Sequence, residues 1–485
     1  MEKNVPPVLY QDIEKNIALF HELLPIDKSF DIVARRITVG GKKAYYILID
    51  GLVGGDVILR LFQHIQGNPT EGVNGFQDFL QKQMGNTEVV TESDPLVLRD
   101  RILTGFTVLL IDGVNRGLIL DLRDYPTRNP EEPDLEKVTR GARDGMVETL
   151  LFNTALIRRR IRDKNLIYEL QDIGSRSHTD VAIGYIEGLA DPNLVDHIRD
   201  TLSHLQTDAL IMGEKTLEEL MIKKRWYNPF PQAKFTERPD VVSSHLLEGH
   251  VVILVDNSPS VMLFPATMFH FTQHSEDYYQ NPLAGTFIRW IRFIAILICV
   301  FFTPTWLLLA QNPQAAPDWL QFLIPPGEAA LPLFVQLLLV ELNLEILRMA
   351  SIHTPNSLTT AMGIIGGLIL GEYAIEINLL ESHTVLFMAI SSLATYAVPS
   401  IEFGTALRIY RVYILLLTGL LNLVGFIIGM GSLFLVLFTT RSFSGLRYTW
   451  PLLPFDGPAL ANILLRRPIM QVRRHRRENQ GKPVK

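Results

Sequence analysis

The chain has 485 residues, 47% of them hydrophobic, with a formal net charge of −6 and one cysteine. That length exceeds one ordinary globular core, so two or three domains are expected. The lone Cys299, in "FIAILICVFF", excludes an internal disulfide framework and reads as a small buried hydrophobe.

The net charge hides three unlike regions. Residues 1–292 hold 32 basic and 41 acidic side chains, residues 293–440 hold three and eight, and residues 441–485 hold ten and two. The first region has the balance of a soluble protein, the second is sparsely charged and apolar, and the third is a basic tail. The N-terminal segment, 1–27, is polar and acidic with no apolar stretch of signal-peptide type, so the soluble part is expected not to be exported.

Residues 44–65 read as a strand, a Gly-containing turn and an amphipathic helix, and residues 181–202 read the same way. Ile49-Asp50-Gly51-Leu52 falls opposite Ile186-Glu187-Gly188-Leu189, an offset of 137. "LTGFTVLLIDGVNRGLIL" parallels "LEGHVVILVDNSPSVMLF", Leu103 matching Leu247 at an offset of 144. Two similar α/β subdomains are therefore expected, 28–128 and 165–271, each with helices covering short apolar strands. Between them, 129–164 is a basic helical connector. Met146, Leu150, Thr154 and Ile157 follow helical spacing there, and Arg158, Arg159, Arg160 and Arg162 crowd the C-terminal end. These cations suit the helix dipole in a joining helix, with an anion site as the alternative.

A tether, 272–292, leads to the membrane domain, 293–440. Residues 293–317 carry no charge, enough to cross about 30 Å of hydrocarbon. Pro304 predicts a kink whose freed carbonyl needs a partner on a neighbouring helix. Further spans are expected near 331–349, 359–375 and 383–401, and the long tract after Phe403 is split near Asn422 into 403–421 and 423–440. Positive-inside bookkeeping uses Arg289, Arg292, Arg348, Arg408 and Arg411 as inner markers. Six spans then leave both the soluble domain and the tail, 441–485, in the cytosol.

Glu341, Glu345 and Arg348 share one face of the second span. Glu345 and Arg348 can pair, which leaves Glu341 without a partner on its own helix. The stripe is either a structural clamp near the inner surface or an acidic lining for a hydrated cation path. Glu372, Glu376 and Glu402, at other span ends, complete the candidate pore-lining set. The glycines of "GIIGGLILG" and "GFIIGMG" are packing faces or simple membrane glycine enrichment. The basic tail binds anionic headgroups or only fixes topology.

Reactive motifs are few. "HFTQH" has metalloprotease spacing but Phe271 replaces the catalytic Glu, "GEKT" lacks a preceding Gly-rich loop, and "HLLEGH" has no partner cluster. Asp112 and Asp256 occupy turns, where Asp is common. An enzyme is not expected, nor a metal, a cofactor or a nucleic-acid partner.

The block "NPFPQAKFTERPDVVSSHLLEGHVVILVDNSPSVMLFP" resembles the A subunits of bacterial spore germinant receptors, the GerA family. The resemblance continues through "RGARDG…NTALIRRRIRD", "RMASIHTPNSLTTAMGIIGGLILG" and "YTWPLLPFD", covering nearly the whole chain. "RGARDG", "HLLEGHV" and "EEPDLEKV" look most like the stage V sporulation protein AF branch. The matching motif residues include Arg140, Arg143, Asp144, Pro229, Pro231, Glu237, Arg238 and Pro239. Read physically, the three prolines make an extended linker. Lys234, Glu237, Arg238 and Asp240 build a polar network across a subdomain or subunit joint, as a rigid brace or a signalling hinge.

The resemblance implies the inner membrane of an endospore, release of cations during germination, oligomers with membrane helices around an ion channel, and a small membrane partner beside other germination proteins. Two rival functions stay open: a nutrient-sensing receptor subunit with companion subunits, and a non-conducting scaffold. No inverted repeat among the spans points to a secondary transporter.

Overall fold

The structure, a computed structural model, describes residues 8–39, 41–56, 58–59, 63, 89–125, 136, 138–223, 225–325, 330–353, 366–367 and 369–467. It divides into two compact units, Met1–Lys223 with Ala233–Pro265, and Lys224–Gln232 with Ala266–Lys485.

The first unit is α/β and holds two five-stranded antiparallel sheets. Strands β1 (Ile32–Val39), β2 (Lys42–Ile49), β3 (Val89–Glu92), β4 (Thr107–Ile111) and β5 (Gly117–Leu120) pair in the order β1-β2-β4-β5-β3. Strands β6 (Leu166–Ile173), β7 (Thr179–Ile186), β8 (Lys234–Thr236), β9 (Val251–Val255) and β10 (Val261–Phe264) pair in the order β6-β7-β9-β10-β8. Mapped one to one in sequence, the two orders are identical. Alternation along β2 sends Tyr45, Ile47 and Ile49 to one core and Ala44, Tyr46 and Leu48 to another, as a sheet covered on both faces requires.

Four helices matter most here: α1 (Ile13–Leu23), α2 (Pro95–Leu103), α3 (Leu150–Arg160) and, after β7, α4 (Pro192–Ser203). Helix α1 packs its apolar stripe of Ile13, Ile17 and Phe20 on the first sheet with Leu98 and Ile102 of α2. The counterpart of α4 in the first half, expected after the turn at Gly51, falls largely outside the described residues.

The repeats begin earlier than residues 28 and 165. Asp112 Oδ1 accepts from the Ile13 amide at 3.2 Å, and Asp256 Oδ1 accepts from the Leu150 amide at 3.0 Å. Asn16 clamps Tyr10 through both its backbone groups, at 2.9 and 2.8 Å. Asn153 clamps Val147 in the same way, at 2.8 and 2.6 Å. So α3 is the counterpart of α1, and the region read as a connector opens the second repeat. The helix also starts at Leu150: Met146 is buried, but in the non-helical lead-in. Turn geometry repeats as well, since Asn257 (φ 64) holds the left-handed conformation that Gly113 (φ 81) supplies in the first half.

The second unit is helical. It contains α5 (Glu276–Tyr279), α6 (Pro282–Leu297), a π turn (Ile298–Phe302), α7 (Thr303–Gln311), α8 (Leu333–His353), α9 (Ser382–Tyr396), α10 (Ile401–Thr439) and α11 (Gly457–Leu464). Among the described residues, two stretches are long and apolar enough to cross a membrane, Pro282–Gln311 and Ile401–Thr439. The expected third span, 359–375, lies partly outside the described residues, with a π turn (Ile369–Tyr373) near its end.

Helix α10 is not one straight rod. Its backbone leaves helical geometry at Asn422 (φ 53, ψ −133). A Cβ on Gly425 would collide with the Leu417 carbonyl oxygen, and one on Gly429 would stand 3.1 Å from the Ile414 side chain. Residues eight apart in a straight helix are about 12 Å apart along the axis, so the two arms fold back into a hairpin. Glycine at 425 and 429 permits that close approach, which makes "GFIIGMG" a packing face. Asn422 and Asn312 exchange amide hydrogen bonds at 2.7 and 3.3 Å, tying the hairpin tip to the end of α7.

Candidate functional site

The apolar helices bury a layer of charge. Glu341 and Glu345 come from α8, one turn apart, and Arg408 and Arg411 come from the first arm of α10 at matching spacing. Arg411 Nη2 donates to both oxygens of Glu341, at 2.7 and 2.8 Å, and both residues are buried. Glu341 therefore has a partner, supplied by another helix. Its neighbour Glu345 accepts from Arg348 at 2.9 Å, as the i, i+3 spacing predicts, and also from Arg408. That second group is open: the side chains of Glu345, Arg348 and Arg408 are 30%, 29% and 13% exposed.

Arg411 also settles the proline problem. In a π turn each carbonyl pairs five residues on, and the residue five beyond Cys299 is Pro304, which has no N–H. Arg411 Nη1 donates instead to the Cys299 carbonyl at 3.3 Å and to the Ser391 carbonyl of α9 at 3.2 Å. One guanidinium thus joins four helical segments. A buried pair that loses one member leaves an uncompensated charge, typically at a cost of about 3–5 kcal/mol.

Several inner-marker arginines have structural partners. Arg408 and Arg411 lie within a helix, not in a loop. Arg289 and Arg292 are buried against Asp277, with Arg292 bidentate at 2.8 and 2.9 Å. Arg289 adds the carbonyls of Asn462 and Ile463 at 2.9 and 3.1 Å, binding the start of α6 to α11. The tether is therefore folded and clamped. Glu372, Glu376 and Glu402 are exposed.

The motif residues of the first unit form a network inside the second repeat. Arg238, wholly buried, reaches Asp240 at 2.9 and 3.1 Å and the carbonyls of Glu136 and Ala142 at 3.0 and 2.9 Å. The Glu237 carbonyl accepts from the Met146 amide at 2.7 Å, and Pro239 opens the helix Pro239–Leu246. Asp144 pairs with Arg160 at 2.6 Å, while Arg140 and Arg143 are exposed. Pro229 and Pro231 sit in the helical unit instead. There Phe230 is buried against the rings of Phe403, Tyr410 and Tyr448, so this stretch is an anchored insertion and not a free linker.

The arginine crowd on α3 divides. Arg158 is fully buried and grips Asp31 at 2.8 and 3.1 Å, joining the second repeat to the first. Ser29 Oγ donates to Asp31 and accepts from the Tyr168 amide, which adds a second tie across the joint. Only Arg159 and Arg162 face solvent.

One further cluster escaped the sequence. His245, Glu248 and His250 of "HLLEGH" offer ligand atoms within 4.8 Å of one another, and the two rings lie 4.8 Å apart. Burial pushes both imidazoles down, His250 to about 3, and the charge of Lys234 pushes further. Neutral imidazole is the ligating form; the Lys234 ammonium opposes a cation there, while the Glu248 carboxylate favours one. His245 is buried, His250 half-buried and Glu248 exposed, so the two rings stand at the edge of the core with a carboxylate beside them.

Comparison with known proteins finds relatives over nearly the whole chain. The model of a family described as Bacillus/Clostridium GerA spore germination protein matches residues 21–478. The stage V sporulation protein AF of Bacillus subtilis (strain 168) is 38% identical over 460 residues, 94% of this chain and 93% of that protein. Spore germination protein KA of the same organism is 28% identical, covering 96% of this chain and 86% of that one. A crystal structure of the N-terminal domain of the A subunit of the Bacillus megaterium spore germinant receptor GerK3 aligns with 54% of this chain and 96% of that domain, at 27% identity and a TM-score of 0.41. With the family model matching residues 21–478 and a relative 38% identical over 94% of this chain and 93% of its own length, the chain belongs to the GerA family of spore germination proteins.

Proposed function

We propose that this germination protein works as an oligomer whose membrane helices enclose a cation path, contributing to ion release from the spore core. The observation that carries the reading is the half-open triad of Glu345, Arg348 and Arg408 on two mostly apolar helices, α8 and α10. Ionised groups at such a surface need water, headgroups or a second copy, because hydrocarbon does not solvate them. In a ring of copies, Glu345 would face the shared passage, while Glu341, locked to Arg411, would brace its wall. Glu372, Glu376 and Glu402 would then lie at its mouths. Six crossings, with both termini on the core side of the inner membrane, complete the arrangement, and no catalysis is involved.

The test is flux from liposomes holding the purified chain. Glu345→Gln should lower potassium efflux severalfold without loss of folded protein. Unchanged efflux would take α8 out of the path.

A second reading is favoured by the relatives named as germination proteins and by the receptor A subunit among the solved structures. Here the chain senses nutrients with companion subunits, or holds them together, and conducts nothing. Absent efflux with nutrient-dependent thermal stabilisation would select it.

A further inference from the structure

Trp226 is 97% exposed, which is unusual for the largest apolar side chain. It does not hang on a loose loop. Two residues on, Asn228 Nδ2 donates to Thr440 Oγ1 at 2.9 Å, and Phe230 is buried in the ring cluster. Thr440 caps the last arm of the α10 hairpin, so Trp226 is held at the level where that apolar arm ends.

Its surroundings match a bilayer surface. Arg225, itself exposed, donates to Tyr227 Oη at 3.0 Å, and the Trp226 and Tyr227 rings stand edge to face at 6.0 Å. Arg441 and Arg447, directly after the hairpin, bridge one another through their backbones and expose both guanidinium groups. The same block continues to Leu452, Leu453 and Phe455, all exposed, Phe455 by 75%. Amphipathic rings beside arginines at a helix end form the pattern of a membrane–water interface, and three arginines favour a negative surface.

We propose that residues 225–227, with Arg441, Arg447 and the apolar turn at residues 452–455, form a collar that binds anionic phospholipid. The indole enters the headgroup layer while the guanidinium groups take phosphates. The collar fixes the inserted segment 224–232 to the membrane independently of the buried Phe230. It is distinct from any path lined by Glu345.

The experiment uses the full chain in nanodiscs of brominated phosphatidylglycerol or brominated phosphatidylcholine, with tryptophan quenching as readout. The contribution of Trp226 is obtained by subtracting Trp226→Phe, and that of Trp290, half-exposed on α6, by subtracting Trp290→Phe. Trp226 should be quenched in both lipids, more strongly in the anionic one. Arg441→Gln with Arg447→Gln should erase that preference, by roughly fivefold in lipid occupancy per charge removed. Quenching of Trp290 but not Trp226 would overturn the collar and leave the membrane assignment standing. Shielding of Trp226 from both bromolipid and aqueous acrylamide would also overturn it, in favour of a second copy covering the ring.

Discussion

Arg411 holds Glu341 across 70 residues of sequence, one guanidinium nitrogen lying 2.7 and 2.8 Å from the two carboxylate oxygens. The pair is buried where water cannot screen it, and the same side chain serves the carbonyls of Cys299 and Ser391. The charge in the middle of the helical unit is therefore first a structural joint, and only its outer half, around Glu345, is open.

Breaking that joint from one side should be far worse than removing it whole. Arg411→Met leaves a buried carboxylate and should destabilise the unit by about 3–5 kcal/mol. Arg411→Met combined with Glu341→Gln should recover much of that loss. Detergent unfolding of the two singles and the double gives the comparison, and simple additivity would refute the pairing.

The hairpin makes a claim about two glycines. Gly425→Ala would place its methyl on the Leu417 carbonyl, whereas nothing stands within 4 Å of a Cβ on Gly431. Gly425→Ala should cost about 1–3 kcal/mol or more, and Gly431→Ala close to none. Equal melting temperatures for the two variants would argue for a straight α10.

Internal symmetry predicts matched losses. Asp112→Ala removes the acceptor for Ile13, and Asp256→Ala removes the acceptor for Leu150. Each should lower stability by about 0.5–2 kcal/mol, as loss of a helix cap does. A neutral result at one site only would mean that the two helices are not equivalent.

The close-set histidines make stability depend on pH. Because burial lowers the folded value of His250 to about 3, below an unfolded value near 6.5, the unfolded chain binds more protons between them. The contribution is whole above pH 6.5 and is lost as pH falls, reaching up to about 2 kcal/mol at pH 5. Melting of the full chain between pH 8 and 5 should fall more steeply than that of His250→Leu. Parallel curves would count against the burial of this ring.

Much was legible in the chain itself. Offsets of 137 and 144 announced a duplication, a long uncharged tract announced a membrane part, and the asparagine at 422 marked the break in the last apolar run, because each is a signal carried by neighbouring residues. Spacing also paired Glu345 with Arg348. What lay beyond reach was every partner drawn from a distant segment: Arg411 for Glu341, Asp31 for Arg158, Asp277 for Arg289 and Arg292, and Asp256 for the first turn of α3. Periodicity reports which face of one helix a residue occupies, and it carries no term for what another helix brings to that face. Packing decided those pairings, and with them which charges brace the molecule and which remain open.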